Sequence, residues 1–412
     1  MSATDDLDQR FEELARKIYG WDGWDGRTMD PEAVRLIAQE LTHGLELGFG
    51  SGLNDLRPDS HRFRMMQFMS KNVFVFSGFK THKQLTEISS LLYDAEGNLR
   101  PFTDFLKDVR KVNATYNTHY LNAEYNHAVA SSQMSANWQS YMDNIDVAPF
   151  LKYQTAGDER VREEHRGLDG TIRRKEDPFW DTWYPPNGWN CRCDVVELVD
   201  APDGEIEPAF LPEKQPAMFK NNVGKDGIVF PDTHPYFDAP KQAKSTIYEA
   251  AATAAPYVPT YESQSGGRVL TSVFHKAEEM VENQMIAQKL ADQGHKIELL
   301  PYQDIDFRKN PDARINGKVA DFKWPSKTKG SVTTISYHIS EASKQGASLA
   351  VLYLDNPDVT RKIVGQALNL LKDPKRAANI KEVWLMNKGG ELSVISRTDI
   401  NSGKFWSQLI GP

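Results

Sequence analysis

The spacing of apolar and polar residues divides the chain into distinct textures. Up to about residue 148, apolar positions recur at helical intervals. Asp30-Pro31 supplies an N-cap followed by a proline at the first helical position, and Val34, Ile37, Leu41, Leu45 and Leu47 then mark a helix face. Similar stretches run over about 62–76, 80–93 and 101–138. In the last, Phe105, Val109, Val112, Tyr116, Tyr120, Ala123 and His127 form one stripe. Such a stripe predicts packing surface, with His119 and His127 as structural residues and not ligands.

After Val147, prolines, glycines and tryptophans crowd short extended segments near 150–155 and 194–199, which predicts an irregular β-rich module over 149–240. Residues 241–266, rich in Ala and Pro and ending at Gly266-Gly267, read as a linker. From 267 to 412 the pattern predicts a helix over 269–293, a strand over 296–300 and a hairpin across Asn316-Gly317. A helix over 335–344, a strand over 348–354, a helix over 359–371 and a strand over 382–386 follow. The expected architecture is therefore multidomain: a mainly helical region (1–148), a small irregular α+β module (149–240), a linker (241–266) and a C-terminal α/β domain with a mixed sheet (267–412).

Composition narrows the class. Apolar residues make up 40% and charged residues 26% of 412 positions, the balance of a globular protein. No apolar run approaches the roughly 18–20 residues of a membrane span, and the first residues lack the apolar core of a signal peptide. The expectation is a protein made and kept in a cytoplasm until something else moves it. The only cysteines, Cys191 and Cys193, are one residue apart, so no disulfide framework is implied. The net charge of −8 is uneven: 266–412 holds 21 basic against 16 acidic residues, and the preceding part holds 28 against 41. That asymmetry points to a polyanionic partner for the C-terminal domain alone.

Two ordered blocks carry a resemblance. Asp158, Arg160, Arg162, His165, Leu168, Asp169 and Gly170 form D-x-R-x-R-x-x-H-x-x-L-D-G, and Pro185-Pro186-x-Gly188-x-x-Cys191-Arg192-Cys193 follows, with Asp177-Pro178-Phe179-Trp180 between and His234-Pro235-Tyr236-Phe237 later. Together they resemble the phage Mu F-like minor head (head morphogenesis) family over about 1–240. That resemblance implies a virion component at the portal vertex or capsid interior, with portal protein and major capsid protein as partners. Physically the blocks read first as scaffold. Gly170 and Gly188 suit tight turns, Pro185-Pro186 stiffens the chain, Trp180 and its aromatic neighbours supply a small core, and Asp158, Arg160, Arg162 and Asp169 suit an ion-pair and hydrogen-bond network. His165, Cys191 and Cys193 are zinc-type ligands, but with no obvious fourth partner and no C-x-x-C spacing they read as a packed cluster before a Zn2+ site.

Asn-Gly is the strongest short hairpin signal. A two-residue turn there sets Ile315 opposite Lys318, Arg314 opposite Val319 and Asp312 opposite Asp321. Asp312, Arg314, Asp321 and Lys323 then share one face, while Ala313, Ile315, Ala320 and Phe322 make the other apolar. Pro311-Asp312-x8-Asp321-x-Lys323 is similar to the PD-(D/E)xK nuclease pattern, and the surrounding segment resembles the nuclease tips of contact-dependent inhibition toxins. The resemblance implies Mg2+ on Asp312 and Asp321, with Lys323 orienting water or steadying a pentavalent phosphate. It also suggests a further acid at Glu278 or Glu279, Gln345 or His338 beside the site, tRNA or DNA as substrate, and an immunity protein as partner. Other readings stay open: Arg314 and Lys323 neutralising the aspartates as a surface patch, a purely structural domain that binds portal, capsid or DNA, or a metal-independent barnase-like ribonuclease using His275, His295 or Arg308.

Overall fold

The structure is a computed structural model describing residues 3–21, 23–213, 215–305, 308–325 and 330–411. It divides into two units, 1–255 and 256–412.

The first unit starts as helices whose ends are written in the chain. Helix α1 spans Ala3–Gly20, α2 Pro31–Phe49, α3 His61–Ser90, α4 Phe102–Asn113 and α5 Leu121–Asp143. Asp30 caps α2 by accepting the Ala33 N–H at 2.8 Å, and Ser60 caps α3 by accepting the Phe63 N–H at 3.1 Å. The two stretches expected over 62–76 and 80–93 are one helix, since nothing between them breaks the backbone pattern. Between α4 and α5 lies a π-helical segment, Ala114–Tyr120, that inserts extra residues into the turn and rotates everything after it. The apolar stripe therefore changes phase. Tyr120 is 46% exposed, His119 is exposed, and Leu121, Glu124, His127 and Ala128 face inward. His127 is a core residue as expected, its Nε2 lying 3.1 Å from the Val229 carbonyl oxygen, whereas His119 is no part of the packing.

The module that follows contains β1 (Phe150–Gln154), α6 (Glu163–Arg166), β2 (Ile172–Arg174), α7 (Phe179–Trp183), β3 (Asp194–Leu198) and α8 (Val223–Asp226). Its strands form an antiparallel sheet in the order β2-β1-β3. The expected linker is absent: Lys241–Ala254 forms helix α9, whose Ala243, Ile247, Ala250 and Ala251 are buried against α2 and α3. The prolines that flank the helix, Pro240 and Pro256, stand outside it, and the alanines between are strong helix formers small enough for close packing. At Gly78 of α3 a β-carbon would lie 3.1 Å from the Ile247 side chain, so the glycine admits α9.

In the second unit the elements are β4 (Tyr257–Glu262), β5 (Arg268–Ser272), α10 (Met280–Ala291), β6 (Lys296–Leu299), β7 (Ala313–Ile315) and β8 (Lys318–Lys323), then α11 (Val332–Lys344), β9 (Leu349–Leu354), α12 (Arg361–Leu370), β10 (Glu382–Asn387), β11 (Leu392–Ser396) and α13 (Arg397–Ser402). Among the described residues these strands make one eight-stranded mixed sheet in the order β11-β10-β9-β8-β7-β6-β5-β4. The helix expected over 269–293 begins only at Met280. Val269–Ser272 is a strand, and Tyr257–Glu262, also placed in the linker, pairs with it at the sheet edge. Each face of the sheet has its own core. Ile286, Leu290, Ala313, Ile315, Ala320, Phe322 and Val351 pack on one side, and Ile335, Ile339, Ala350, Leu352, Val364 and Leu368 on the other. The hairpin register is the one expected, with Ala313 paired to Ala320, Arg314 to Val319 and Ile315 to Lys318. Asn316 and Gly317 have φ of 47° and 84°, the positive pair that a type I′ turn demands.

Candidate functional site

Strands β6, β8, β9 and β10 run parallel to one another and β7 runs against them, so the start of β7 meets the carboxyl end of β8. In open α/β sheets that edge is where ligands sit. Asp312 immediately precedes β7, and its Oδ2 accepts the Phe322 N–H at 2.7 Å, which locks the carboxylate beside Asp321. Asp321 is 1% exposed. Lys323 Nζ lies 2.5 Å from Asp321 Oδ2 as an ion pair, off the angle of a hydrogen bond, so this buried oxygen still has a lone pair to offer. Burial and the neighbouring Asp321 push the Asp312 carboxyl well above the usual carboxylate range, against the pull of Lys323. Burial pulls Lys323 down, but the two aspartates outweigh it and hold the ammonium above its ordinary value.

Arg314, on the neighbouring strand, does not neutralise the pair. Arg314 lies 2.5 Å from Glu298 on β6, which removes the surface-patch reading in which Arg314 balances the aspartates. Gln345, at the end of α11, accepts the Asn310 N–H at 2.8 Å and so ties down the chain two residues before Asp312. Glu278 stands exposed on the one-turn 3-10 helix Ala277–Glu279 and is not brought to the pair. Its neighbour Glu279 is the acid whose charge reaches both Lys323 and His275. His338 lies on α11 with a buried, unpartnered Nε2, its pKa lowered by burial and then by the Lys323 charge.

The sequence pattern left a second layer unseen. His275 faces the Leu300 carbonyl oxygen through Nδ1 at 2.8 Å, which makes Nδ1 the protonated nitrogen and Nε2 an acceptor. Asn283 Nδ2 approaches that Nε2 at 3.2 Å and Asp312 Oδ1 at 3.4 Å, linking the imidazole to the carboxylate. Both ring nitrogens of this buried histidine are thus engaged, whereas His295 precedes β6 at the opposite end of the parallel strands, 2.9 Å from the Asn316 amide. Arg308 is exposed. The barnase-like set His275, His295 and Arg308 is therefore not assembled around one point. No pairwise spacing flags Asn283, since it depends on the turn that ends β5.

In the first unit, the motif blocks fold onto each other. Asp158 takes both guanidinium nitrogens of Arg192 at 2.7 Å, with Arg160 3.6 Å away, and its carboxyl is held down at about 2 by Arg192. Arg162 donates to the Trp189 carbonyl oxygen at 2.5 Å, and Asp169 accepts the Thr155 N–H at 2.7 Å. Instead of the one network expected for Asp158, Arg160, Arg162 and Asp169, there are separate local ties, each pinning one loop. Gly170 has φ of 79°, Trp180 is fully buried with its indole N–H donating to the Arg174 carbonyl at 2.9 Å, Pro185-Pro186 is joined by a cis peptide, and Gly188 lies against the Arg162 guanidinium. His165 Nδ1 lies 3.7 Å from the Cys191 sulfur and 3.5 Å from that of Cys193. The hydrogen bond from Cys193 brings Cys191 down to about 4 despite burial, with help from His165, and the same bond together with burial pushes Cys193 up.

Comparison with known proteins separates along the same division. Residues 97–196 match the family described as Phage Mu protein F like protein, and residues 309–392 match the contact-dependent growth inhibition CdiA C-terminal domain. The chain is similar to the Mu-like prophage FluMu F protein of Haemophilus influenzae, 38% identical over 84 residues that cover 18% of this chain and 20% of that one. It is also similar to the F protein of Escherichia phage Mu, named for capsid assembly, 32% identical over 111 residues covering 27% of this chain and 23% of the relative. The chain thus spans about a fifth of the length of these curated relatives. A solved CdiA-CT/CdiI toxin and immunity complex from Burkholderia pseudomallei aligns with 25% identity over 29% of this chain and 85% of that one, with a TM-score of 0.24. Both resemblances expected from the motifs are present, the first as a head-protein stretch and the second as a toxin-like C-terminal stretch. No described helix is long and apolar enough to cross a membrane.

Proposed function

We propose that this chain is a phage or prophage minor head protein, carried in the virion against portal and capsid proteins, whose C-terminal unit is a metal-dependent nuclease acting on tRNA or DNA. The observation that carries the catalytic half is the facing pair Asp312 and Asp321 with Lys323 beside them at the carboxyl edge of the sheet. A buried carboxylate oxygen without an aligned donor suits a hard divalent cation, which prefers oxygen ligands. When bound there, Mg2+ would supply Lewis-acid polarisation of a phosphate and activation of water. The residues do the remainder. Asp312 and Asp321 hold the ion, Lys323 stabilises the charge that builds on the phosphate, and the Phe322 N–H fixes the Asp312 rotamer. A toxin-like unit of this kind calls for an immunity protein as partner in the producing cell.

The test is incubation of the full chain with tRNA and with plasmid DNA, with Mg2+ or with EDTA. Cleavage in Mg2+ alone is expected. Cleavage that survives EDTA would point to a metal-independent ribonuclease, and no cleavage of either substrate would leave a structural or binding domain.

Two further outcomes follow from the geometry. Gln345→Ala releases Asn310 and should reduce cleavage by roughly tenfold while leaving thermal stability nearly unchanged, as expected for a residue acting through a ligand's support; a wild-type rate would remove Gln345 from the site. Asp312→Asn separates stability from activity. Because the folded state holds the Asp312 proton more tightly than the unfolded chain does, that contribution is full below about pH 4 and is lost as pH rises through the folded value. In EDTA at pH 8 the variant should therefore melt higher than wild type by roughly 1 kcal/mol, or ~2–4 °C, with the advantage vanishing near pH 4. Melting below wild type at pH 8 would show that the carboxylate is not destabilised there.

A further inference from the structure

We infer that His165, Cys191 and Cys193 form a zinc site that clasps the two motif blocks of the first unit together. The geometry is the argument. In a tetrahedral site with zinc–sulfur bonds near 2.3 Å and zinc–nitrogen bonds near 2.0–2.1 Å, nitrogen and sulfur ligands stand about 3.6 Å apart and two sulfurs about 3.8 Å apart. Here His165 Nδ1 is 3.5 and 3.7 Å from the two sulfurs, and the three ligand atoms lie within 4.8 Å of one another. The two nitrogen–sulfur separations are those of a tetrahedral site.

The local fold explains how C-x-C achieves this without the usual C-x-x-C spacing. Asn190 adopts φ of 55°, a left-handed conformation that asparagine tolerates, and the Cys191 N–H closes the turn onto the Gly188 carbonyl at 3.1 Å. The backbone thereby doubles back, so that Cys191 and Cys193 both reach His165, while Arg192 between them points away to Asp158. Supporting groups are present too. The Cys193 backbone N–H is directed at the Cys191 sulfur, and the Tyr153 hydroxyl, which donates to Asn187 Oδ1 at 2.8 Å, lies against Cys193. Such outer contacts orient metal ligands and stabilise thiolate charge. Two thiolates and a neutral imidazole balance a dication. A cavity of about 320 Å³, lined by Arg160, Arg162, His165, Asn190 and both cysteines, leaves room for water as fourth ligand.

The site ties α6 to the loop before β3, so its role is to hold those loops in register. Cobalt substitution tests it in the full chain. Because Cys191 and Cys193 are the only cysteines, a thiolate-to-cobalt charge-transfer band reports this site and is blind to ion binding at the aspartate pair. Purified wild type should contain one zinc per chain by elemental analysis. Exchange with Co2+ should give the charge-transfer band together with the visible bands of a tetrahedral ion. Cys193→Ser should weaken the band, His165→Gln should shift it, and either should reduce zinc affinity at least tenfold. If these variants fail to fold, the wild-type spectrum alone decides. Wild type without stoichiometric zinc and without a thiolate band on Co2+ addition overturns the inference, as does full retention of zinc by folded Cys193→Ser and His165→Gln.

Discussion

Asp321→Asn should reduce Mg2+-dependent cleavage on the order of a thousandfold while leaving the second unit folded. The substitution keeps the shape of the side chain at a position that is 1% exposed, so packing between β8 and β9 is preserved. What disappears is the charge. Lys323 then faces a neutral amide at the place where it had an anion, and Asp312 loses the neighbour that raises its proton affinity. A bound cation would be left with one carboxylate. The loss should fall on the rate in saturating substrate and should not be recovered by raising Mg2+ to modest excess. Circular dichroism and thermal melting of the variant beside wild type establish folding, and cleavage assays on tRNA and plasmid establish the loss. Cleavage within about tenfold of wild type by a folded Asp321→Asn protein would remove the aspartate pair from the chemistry.

The part of this site that could be read from the chain is the part governed by local rules. Asn316-Gly317 admits few backbone conformations, and once it turns, strand alternation dictates which side chains meet. The register from Ala313 to Ala320 follows from that alone. The head-protein blocks were likewise legible because turn glycines, paired prolines and tryptophans sit at fixed separations. What failed did so for identifiable reasons. A π-helical insertion leaves no mark in hydrophobic periodicity until its consequence, the phase change that exposes Tyr120, is seen in space. The alanines of α9 carry no amphipathic signal strong enough to outweigh the prolines that bracket them. At 269–293 a strand, a turn and a helix run together with apolar residues throughout, and period alone does not separate them. Asn283 joins His275 to Asp312 only because three segments converge, and Glu279, which pairs with Lys276, adds its charge to the surroundings of Lys323 while Glu278 stands exposed.

Lys80→Met should destabilise the first unit by about 3–5 kcal/mol, the largest stability effect expected of a single substitution in this chain. Lys80 is fully buried in α3 and pairs with Glu124 on α5, itself 2% exposed. Its ammonium also donates to the Tyr116 carbonyl oxygen at 2.8 Å, a carbonyl that accepts the Leu121 N–H across the π-helical turn. Removing the lysine therefore leaves a buried carboxylate with the Tyr236 hydroxyl as its remaining partner and unpins the segment that sets the phase of α5. Burial already pushes Glu124 up and Lys80 down, each opposed by its partner, so neither charge is tolerated without the other. The sign of the pH dependence follows. Without Lys80, Glu124 must take up a proton to remain buried, so the deficit should be greatest at neutral pH and shrink as pH falls through the raised carboxyl value. Adding Glu124→Leu to Lys80→Met should recover most of the loss, because an apolar pair of similar volume has no charge to desolvate. Thermal melts of wild type, single and double variants at pH 5 and pH 7.5 check all three statements. A double variant no more stable than Lys80→Met would show that the pinned π-turn, and not the ion pair, carries the stability.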